Sequence, residues 1–209
     1  MLNKSLSKVK KQFKLLGNFE KGLVFVISAP AGTGKTTLVK KLQEEFSCVK
    51  TTTSFTTRSP RVGEIQGVDY HFISIEEFKK KIDKFEFLEY VELYGDYYGT
   101  SKNNIETLQL QGNHVILVID TQGGLRLKKM IDATLIFVMP PSLEELAKRL
   151  EMRKSETPDV IKKRLEWAKN EIEDANHYDY KIVNDNLKTA YQTLRSILVA
   201  EEHRVILNK

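Results

Sequence analysis

A chain of 209 residues, 41% hydrophobic and 29% charged, is the size of one domain or of a core domain carrying small insertions, and it can bury a core without disulfide or metal staples. Aliphatic runs such as Val24–Ile27 and Val115–Ile119 exclude wholesale disorder, and no run approaches the about 18 apolar residues of a spanning helix. The net charge of +5 sits in one place: residues 1–22 hold six lysines against Glu20 and the remainder is balanced, which argues against a basic, nucleic-acid-binding body.

The single cysteine, Cys48, rules out an intrachain disulfide and suits a reducing, cytoplasmic setting. It reads as a small buried hydrophobe. His71, His114, His177 and His203 are scattered, with no ligand spacing for a structural metal.

Residues 1–21 lack the continuous apolar region of a signal peptide. Leu2, Leu6, Val9, Phe13 and Leu16 form one apolar stripe among lysines, so a basic amphipathic helix is expected, ending at Gly17-Asn18. Such a helix docks on the body or on a partner subunit, or meets an acidic membrane or nucleic acid. Further along, Leu23–Ser28, His114–Asp120, Thr134–Met139 and Tyr180–Asn184 read as buried strands, each followed by a helical pattern. That alternation predicts a parallel sheet with helices on both faces. Expected helices cover Thr37–Phe46, Gln122–Ile131, a segment opened by the capping box Ser142–Glu145, one opened by Thr157-Pro158, and Leu187–Glu202.

On the helix after Ser142, the stripe Leu143, Leu146, Leu150 leads to Arg153, a guanidinium that either points at a site or snorkels off the helix end. The helix after Pro158 carries the stripe Ile161, Leu165, Ala168, Ile172 and Ala175, with Arg164 beside it. Residues 51–102 differ in character. They are rich in Thr, Tyr and Gly, with short alternating runs and a second capping box at Ser74–Glu77, and read as a small, mostly antiparallel insertion with one helix.

The most specific motif is Ala29-Pro30-Ala31-Gly32-Thr33-Gly34-Lys35-Thr36, set between a strand and the helix that begins near Thr37. That is the context of a phosphate-binding loop. Backbone N–H groups of the turn wrap polyphosphate oxygens, the helix dipole adds to them, Lys35 reaches the β- and γ-phosphates and Thr36 ligates Mg²⁺. The motif asks for glycine where Ala29 stands. If that position needs a positive φ, alanine is strained there; if it needs only a small side chain, alanine serves.

A second anion site is suggested by Ser54, Thr57, Arg58, Ser59, Pro60 and Arg61, continuing to Glu64, Gly67, Asp69 and Tyr70, because arginine binds phosphate in bidentate fashion and hydroxyls complete the shell. Taken on spacing alone, this stretch also suits an ordinary solvated loop. Tyr97-Tyr98-Gly99-Thr100 adds phenols beside glycines.

This run, together with Tyr97-Tyr98-Gly99, Asp120-Thr121-Gln122-Gly123, Pro140-Pro141-Ser142 and Ile182-Val183-Asn184-Asp185, resembles guanylate kinase in order and spacing from about Gly22 to Glu202. The resemblance implies an α/β P-loop NTPase three-layer fold with a central parallel sheet. Its core is 22–53, 103–152 and 166–205, its GMP-binding insertion 54–102 and its short lid 153–165, within a domain spanning 22–205. It implies ATP and GMP or dGMP as substrates, with Mg²⁺. Arg58, Arg61, Tyr70 and Tyr98 would hold the acceptor phosphate, with Glu64 in the same set. Ser54, Glu89 and Thr100 would read guanine, and Asp120 would meet the acceptor or the Mg²⁺ shell, or else simply cap the helix that follows it.

On the donor side the resemblance implies Ala29 through Thr37, Arg149, Arg153 and Asn184, with Lys35, Arg58, Arg153 and Arg164 acting in catalysis. Asn184 would lie near adenine, or be an ordinary strand-end turn. Two further departures stand out. Val118 occupies a position that many family members give to a carboxylate, and the acidic pair after Asn184 is reduced to Asp185-Asn186. Other readings are a non-catalytic guanylate-kinase-like binding module, a kinase for a different monophosphate, and a P-loop switch or ATPase. Whether the chain is a monomer or a homo-oligomer is left open, and neither a nucleic-acid nor a membrane partner is expected.

Overall fold

The computed structural model describes residues 13–93, 95–152 and 157–205. Its centre is a five-stranded, all-parallel sheet of β1 (Val24–Ser28), β2 (Val49–Thr51), β7 (His114–Val118), β8 (Thr134–Met139) and β9 (Tyr180–Val183). The spatial order is β2-β7-β1-β8-β9, so β1 is central and the chain leaves it in opposite directions to β7 and β8. In a parallel sheet that reversal opens a crevice at the carboxyl ends of the strands.

The two-residue alternation of β1 divides the core. Phe25 and Ile27 pack with Leu38 and Leu42 of α1 (Lys35–Glu45) and with Leu194 and Leu198 of α7 (Leu187–Glu202). Val24 and Val26 face Ile105 of α3 (Lys102–Leu110) and Leu127 of α4 (Thr121–Leu127). Helices on both faces of one sheet make three layers. A third apolar cluster joins α5 (Leu143–Met152) to α6 (Pro158–Asp174) through Leu146, Leu150, Ile161 and Ala168.

Between β2 and α3 the chain builds a second sheet of β3 (Phe55–Thr56), β4 (His71–Phe72), β5 (Phe87–Leu93) and β6 (Asp96–Ser101), in the order β4-β3-β6-β5. The β3–β6 and β5–β6 pairs are antiparallel and the β3–β4 pair is parallel. Helix α2 (Ile75–Asp83) follows β4, opened by the reciprocal capping box of Ser74 and Glu77.

The expected elements are present with boundaries moved by a few residues. The helix expected over Gln122–Ile131 runs from Thr121 to Leu127. Two elements were not expected. β2 is three residues long with Val49 as its buried member, and α3 buries Ile105, too little pattern for a stripe to be seen. Of the expected N-terminal helix, residues 1–12 lie outside the described residues. Residues 13–23 are irregular rather than helical: Gly17 takes φ 87°, and the N–H groups of Gly17 and Asn18 donate to the Glu202 carboxylate instead of to helical carbonyls. Leu16 of this segment is buried in the first core cluster, whereas Phe13 is exposed.

Candidate active site

The turn after β1 is shaped by two left-handed glycines, Gly32 at φ 94° and Gly34 at φ 91°. A Cβ on Gly34 would come within 2.6 Å of the Asn184 amide, so this position needs glycine for space as well as for conformation. Ala29 is buried, and Phe85 is the one positive-φ residue other than glycine among the described residues, so the first loop position requires only a small side chain. Asn184, at the end of β9, is buried and donates to the Thr33 carbonyl at 2.7 Å, while its own carbonyl accepts from Arg149 Nη1 at 3.0 Å. Thr33 Oγ1 closes on the Pro30 carbonyl at 2.9 Å. Asn184, Arg149 and Thr33 therefore brace the loop from behind, and the Asn184 side chain is committed to the backbone.

Lys35 opens α1 with its ammonium directed back to the Ala29 carbonyl, and the Pro30 carbonyl lies 3.4 Å away. Beside it a cleft of about 300 Å³ runs between the two sheets. From the loop side it is lined by Ala29, Ala31, Lys35 and Thr36. From the second sheet come Ser54, Tyr70, Glu89, Tyr98 and Thr100, and from the end of β7 come Val118 and Asp120. Arg164 of α6 also lines it, whereas Arg58, Arg61, Glu64, Arg149 and Asn184 do not. Pro30, Gly32, Gly34 and Thr37 shape the loop or begin the helix without lining the cleft.

The side of the cleft formed by the second sheet is built from side chains. Arg58 Nη2 bridges both carboxylate oxygens of Glu64, at 2.9 and 3.0 Å, and its guanidinium lies 5.5 Å from the Tyr70 ring centroid. Burial works against the Arg58 charge, but Glu64 outweighs burial and raises the guanidinium pKa above its ordinary value. Glu64 is likewise held below the usual carboxylate range by Arg58 and by the Arg61 N–H, against the effect of its own burial. Glu64 thus orients both arginines, one by its side chain and one by its backbone. Arg58, Arg61 and Glu64 stand at the edge of the cleft, while Tyr70 and Tyr98 reach into it.

Glu89 lies on β5, where the register shifts between Phe87 and Glu89. Its carboxylate is buried, with Oε1 accepting from Thr100 Oγ1 at 2.7 Å. Oε2 has no hydrogen-bond partner, and the nearest cation, Arg126 Nη2, is 4.0 Å away. Burial pushes the carboxyl up to about 7; Thr100 and Arg126 oppose the rise and the Asp120 charge adds to it. Gly123 permits this placement, because a Cβ there would stand 3.0 Å from Oε2. Asp120 fills two roles left open by the sequence: its Oδ1 caps α4 by accepting from the Gly123 N–H at 3.0 Å, and it also lines the cleft. Arg153 lies outside the described residues.

Sequence reasoning missed Val91, Leu93, Trp167 and Glu171, which also line the cleft. On β5 the alternation Glu89, Val91, Leu93 puts all three on one face, which the spacing already carried. Trp167 and Glu171 follow Arg164 by three and seven residues, one helical face, which could have been read once Arg164 was placed.

A P-loop-like turn at the switch point of a parallel sheet, with a second small sheet inserted beside it, defines an α/β architecture of the P-loop kind. The family model described as guanylate kinase matches residues 21–201. The chain is 56% identical over 189 residues to a guanylate kinase of Protochlamydia amoebophila, covering 90% of this chain and 96% of that one. It is also 56% identical over 183 residues to one of Chlamydia muridarum, covering 87% and 89%. The crystal structure of guanylate kinase from Anaplasma phagocytophilum superposes with a TM-score of 0.74 at 31% identity, over 92% of this chain and 91% of that one. The chain belongs to the guanylate kinase family.

Proposed function

We propose that this protein transfers the γ-phosphoryl group of ATP to GMP, and to dGMP, giving ADP and the corresponding diphosphate. The observation that carries this reading is the unpaired oxygen of the buried Glu89 carboxylate. A buried carboxylate on the wall of a cleft, with one oxygen paired and the other unpaired, is an acceptor awaiting donors. The guanine N1–H and 2-amino group offer two side by side, and adenine offers no such pair. An unpaired buried acceptor costs about 1–3 kcal/mol, which sets the scale of discrimination against AMP. Ser54 and Thr100 stand beside Glu89 to fix the base.

In the reaction a GMP phosphate oxygen attacks the γ-phosphorus in line. A new P–O bond forms, the bond to the β-phosphate oxygen breaks, and ADP leaves with that electron pair. No covalent enzyme intermediate is required, so positioning and charge neutralisation supply the catalysis. Arg58, Arg61, Tyr70 and Tyr98 would hold the acceptor phosphate, with Glu64 keeping the arginines in place. Lys35 and the loop N–H groups would hold the donor, with Arg153 and Arg164 arriving from the α5–α6 side. The same reading treats 54–102 as the acceptor-binding insertion and 153–165 as a lid that excludes water.

The donor set suits Mg²⁺. The Thr36 hydroxyl and the Asp120 carboxylate are hard oxygen ligands on the cleft wall, and no group of three or more His, Cys, Asp or Glu residues gathers among the described residues, so the ion would share the phosphate oxygens of ATP. When bound, it supplies charge neutralisation on the β- and γ-phosphates. Among the described residues no helix is long and apolar enough to cross a membrane. The single cysteine supports a cytoplasmic setting.

The test is ADP formation from Mg·ATP with each of GMP, dGMP, AMP, CMP and UMP. Turnover confined to the guanine nucleotides is expected. Nucleotide binding without turnover on any acceptor would replace the kinase reading with a binding module.

A further inference from the structure

Gly123 and Arg126 stand three residues apart on α4, on one helical face. That face meets β5 of the second sheet. Gly123 leaves room for the Glu89 carboxylate, while Arg126 Nη2 donates to the Tyr90 carbonyl at 3.2 Å and lies 4.0 Å from Glu89 Oε2. The bond to Tyr90, the next residue along β5, fixes the cation beside Glu89 within ion-pair range and beyond hydrogen-bond range. Oε2 thus keeps its lone pairs while a positive charge stands next to it, and Thr100 Oγ1 holds the other oxygen at 2.7 Å. The two partners differ in exposure: the Glu89 side chain is 4% exposed and the Arg126 side chain 45%. A pair with one end in water adds little to the stability of a fold, but a buried carboxylate does need a counter-charge to stay in place. Arg126 itself does not line the cleft.

We propose that Arg126 is a positioning residue for guanine recognition that acts through Glu89. Its charge holds the Glu89 carboxylate against α4, and its tether to the Tyr90 carbonyl keeps the guanidinium from occupying Oε2, which stays available to the donors of the base. Arg126 touches no part of the acceptor. Because α4 belongs to the core and β5 to the inserted sheet, the base site is set across the joint between them. The inference rests on the GMP reading of the cleft.

The experiment measures GMP and ATP affinity by calorimetry, with turnover alongside, in five proteins. These are the wild-type chain, Arg126→Met, which keeps length and removes charge, Arg126→Lys, which keeps charge, Glu89→Gln, and Glu89→Gln combined with Arg126→Met. In Arg126→Met the Kd for GMP is expected to rise by about 5-fold or more, and in Arg126→Lys by less than about 2-fold. The Kd for ATP should stay within about 2-fold, and the loss should appear in KM for GMP rather than in kcat. In the Glu89→Gln background the Arg126→Met change should move the Kd for GMP by less than about 2-fold, because the group through which it acts is gone. An unchanged or lower Kd in Arg126→Met overturns the inference. So does an equal loss in both backgrounds, which a merely structural role would produce. GMP binding without turnover in the wild-type chain would defeat the kinase reading, and the Kd comparison would still decide the role of Arg126. Absence of GMP binding to the wild-type chain would overturn both.

Discussion

At the two ends of β7, buried carboxylates meet opposite treatment. At the amino end Glu202, on the last turn of α7, accepts from the N–H groups of Gly17 and Asn18 at 2.7 and 2.8 Å, from the Asn18 amide and from His114 Nε2. His114 Nδ1 accepts from the Leu23 N–H at 3.1 Å, which assigns the ring proton to Nε2 and completes the network. Burial would raise the Glu202 pKa, but these donors hold it below the usual carboxylate range. At the carboxyl end Glu89 keeps an oxygen unpaired, and Glu89 and Glu171 are both pushed up to about 7. One end pairs its carboxylate fully, tying the segment around Gly17 to α7 and β7, and the other leaves a carboxylate oxygen without a donor.

The contrast can be broken most severely at the cleft. Lys35→Ala should lower turnover by on the order of 10²-fold or more, with the thermal midpoint nearly unchanged, as measured by coupled assay and melting on one preparation. Near-normal activity would remove the phosphate loop from the mechanism. Next in size is Glu89→Gln, which replaces an acceptor with an amide donor facing guanine. It should reduce kcat/KM for GMP by about 10- to 100-fold while ATP binding, followed by the fluorescence of the single tryptophan Trp167, stays constant. Equal losses for both nucleotides would take Glu89 out of guanine recognition.

The opposite end should respond in stability and not in activity. Glu202→Gln is expected to destabilise the fold by about 2–4 kcal/mol in urea unfolding, because the Gly17, Asn18 and His114 donors lose a charged acceptor, while kcat with GMP is retained. The pH dependences also run in opposite directions. Glu202, with its folded pKa depressed, contributes stability that is present above the unfolded carboxylate pKa and lost as pH falls through its folded value. Glu89 and Glu171, with folded pKa values near 7, bind more protons when folded than when unfolded, so stability drops as pH rises from about 4.5 to 7. Glu89→Gln should therefore raise stability at pH 8 by on the order of 1–3 kcal/mol and flatten that slope. The smallest effect is expected at Phe85, whose side chain is 87% exposed on a backbone of φ 55°. Phe85→Gly should add about 0.5–1 kcal/mol by removing the left-handed strain, with activity unchanged.

The shape of the loop after β1 was legible in the sequence because it is set by the backbone: the glycines, the lysine and the hydroxyl occur in one run between a strand and a helix, and Gly32 and Gly34 take the left-handed conformation. The strands β1, β7 and β8 were legible as apolar runs buried for most of their length, whereas β9, an edge strand, buries only Ile182. β2 was missed because an edge strand of three residues with one buried valine carries too little pattern. Glu171 was missed for a different reason. It lies between Ala168 and Ile172 of the apolar stripe, and reads as an ordinary surface carboxylate until the tertiary structure turns that side of α6 toward the loop. The double role of Asp120 and the unpaired oxygen of Glu89 depend on contacts between residues distant in sequence, which periodicity does not encode. Most of the N-terminal stripe lies outside the described residues; of its last two members Leu16 is buried and Phe13 exposed.

The most direct test of the Glu89 reading is the proton balance of GMP binding at pH 7, obtained by calorimetry in buffers of different ionisation enthalpy. Guanine donors favour the ionised carboxylate, so a group with a free-state pKa near 7 should release a substantial fraction of a proton when GMP binds. That release should vanish in Glu89→Gln and be absent with AMP. Equal proton release from wild type and Glu89→Gln would contradict the account, because the Glu89 carboxylate would then play no part in recognising the base.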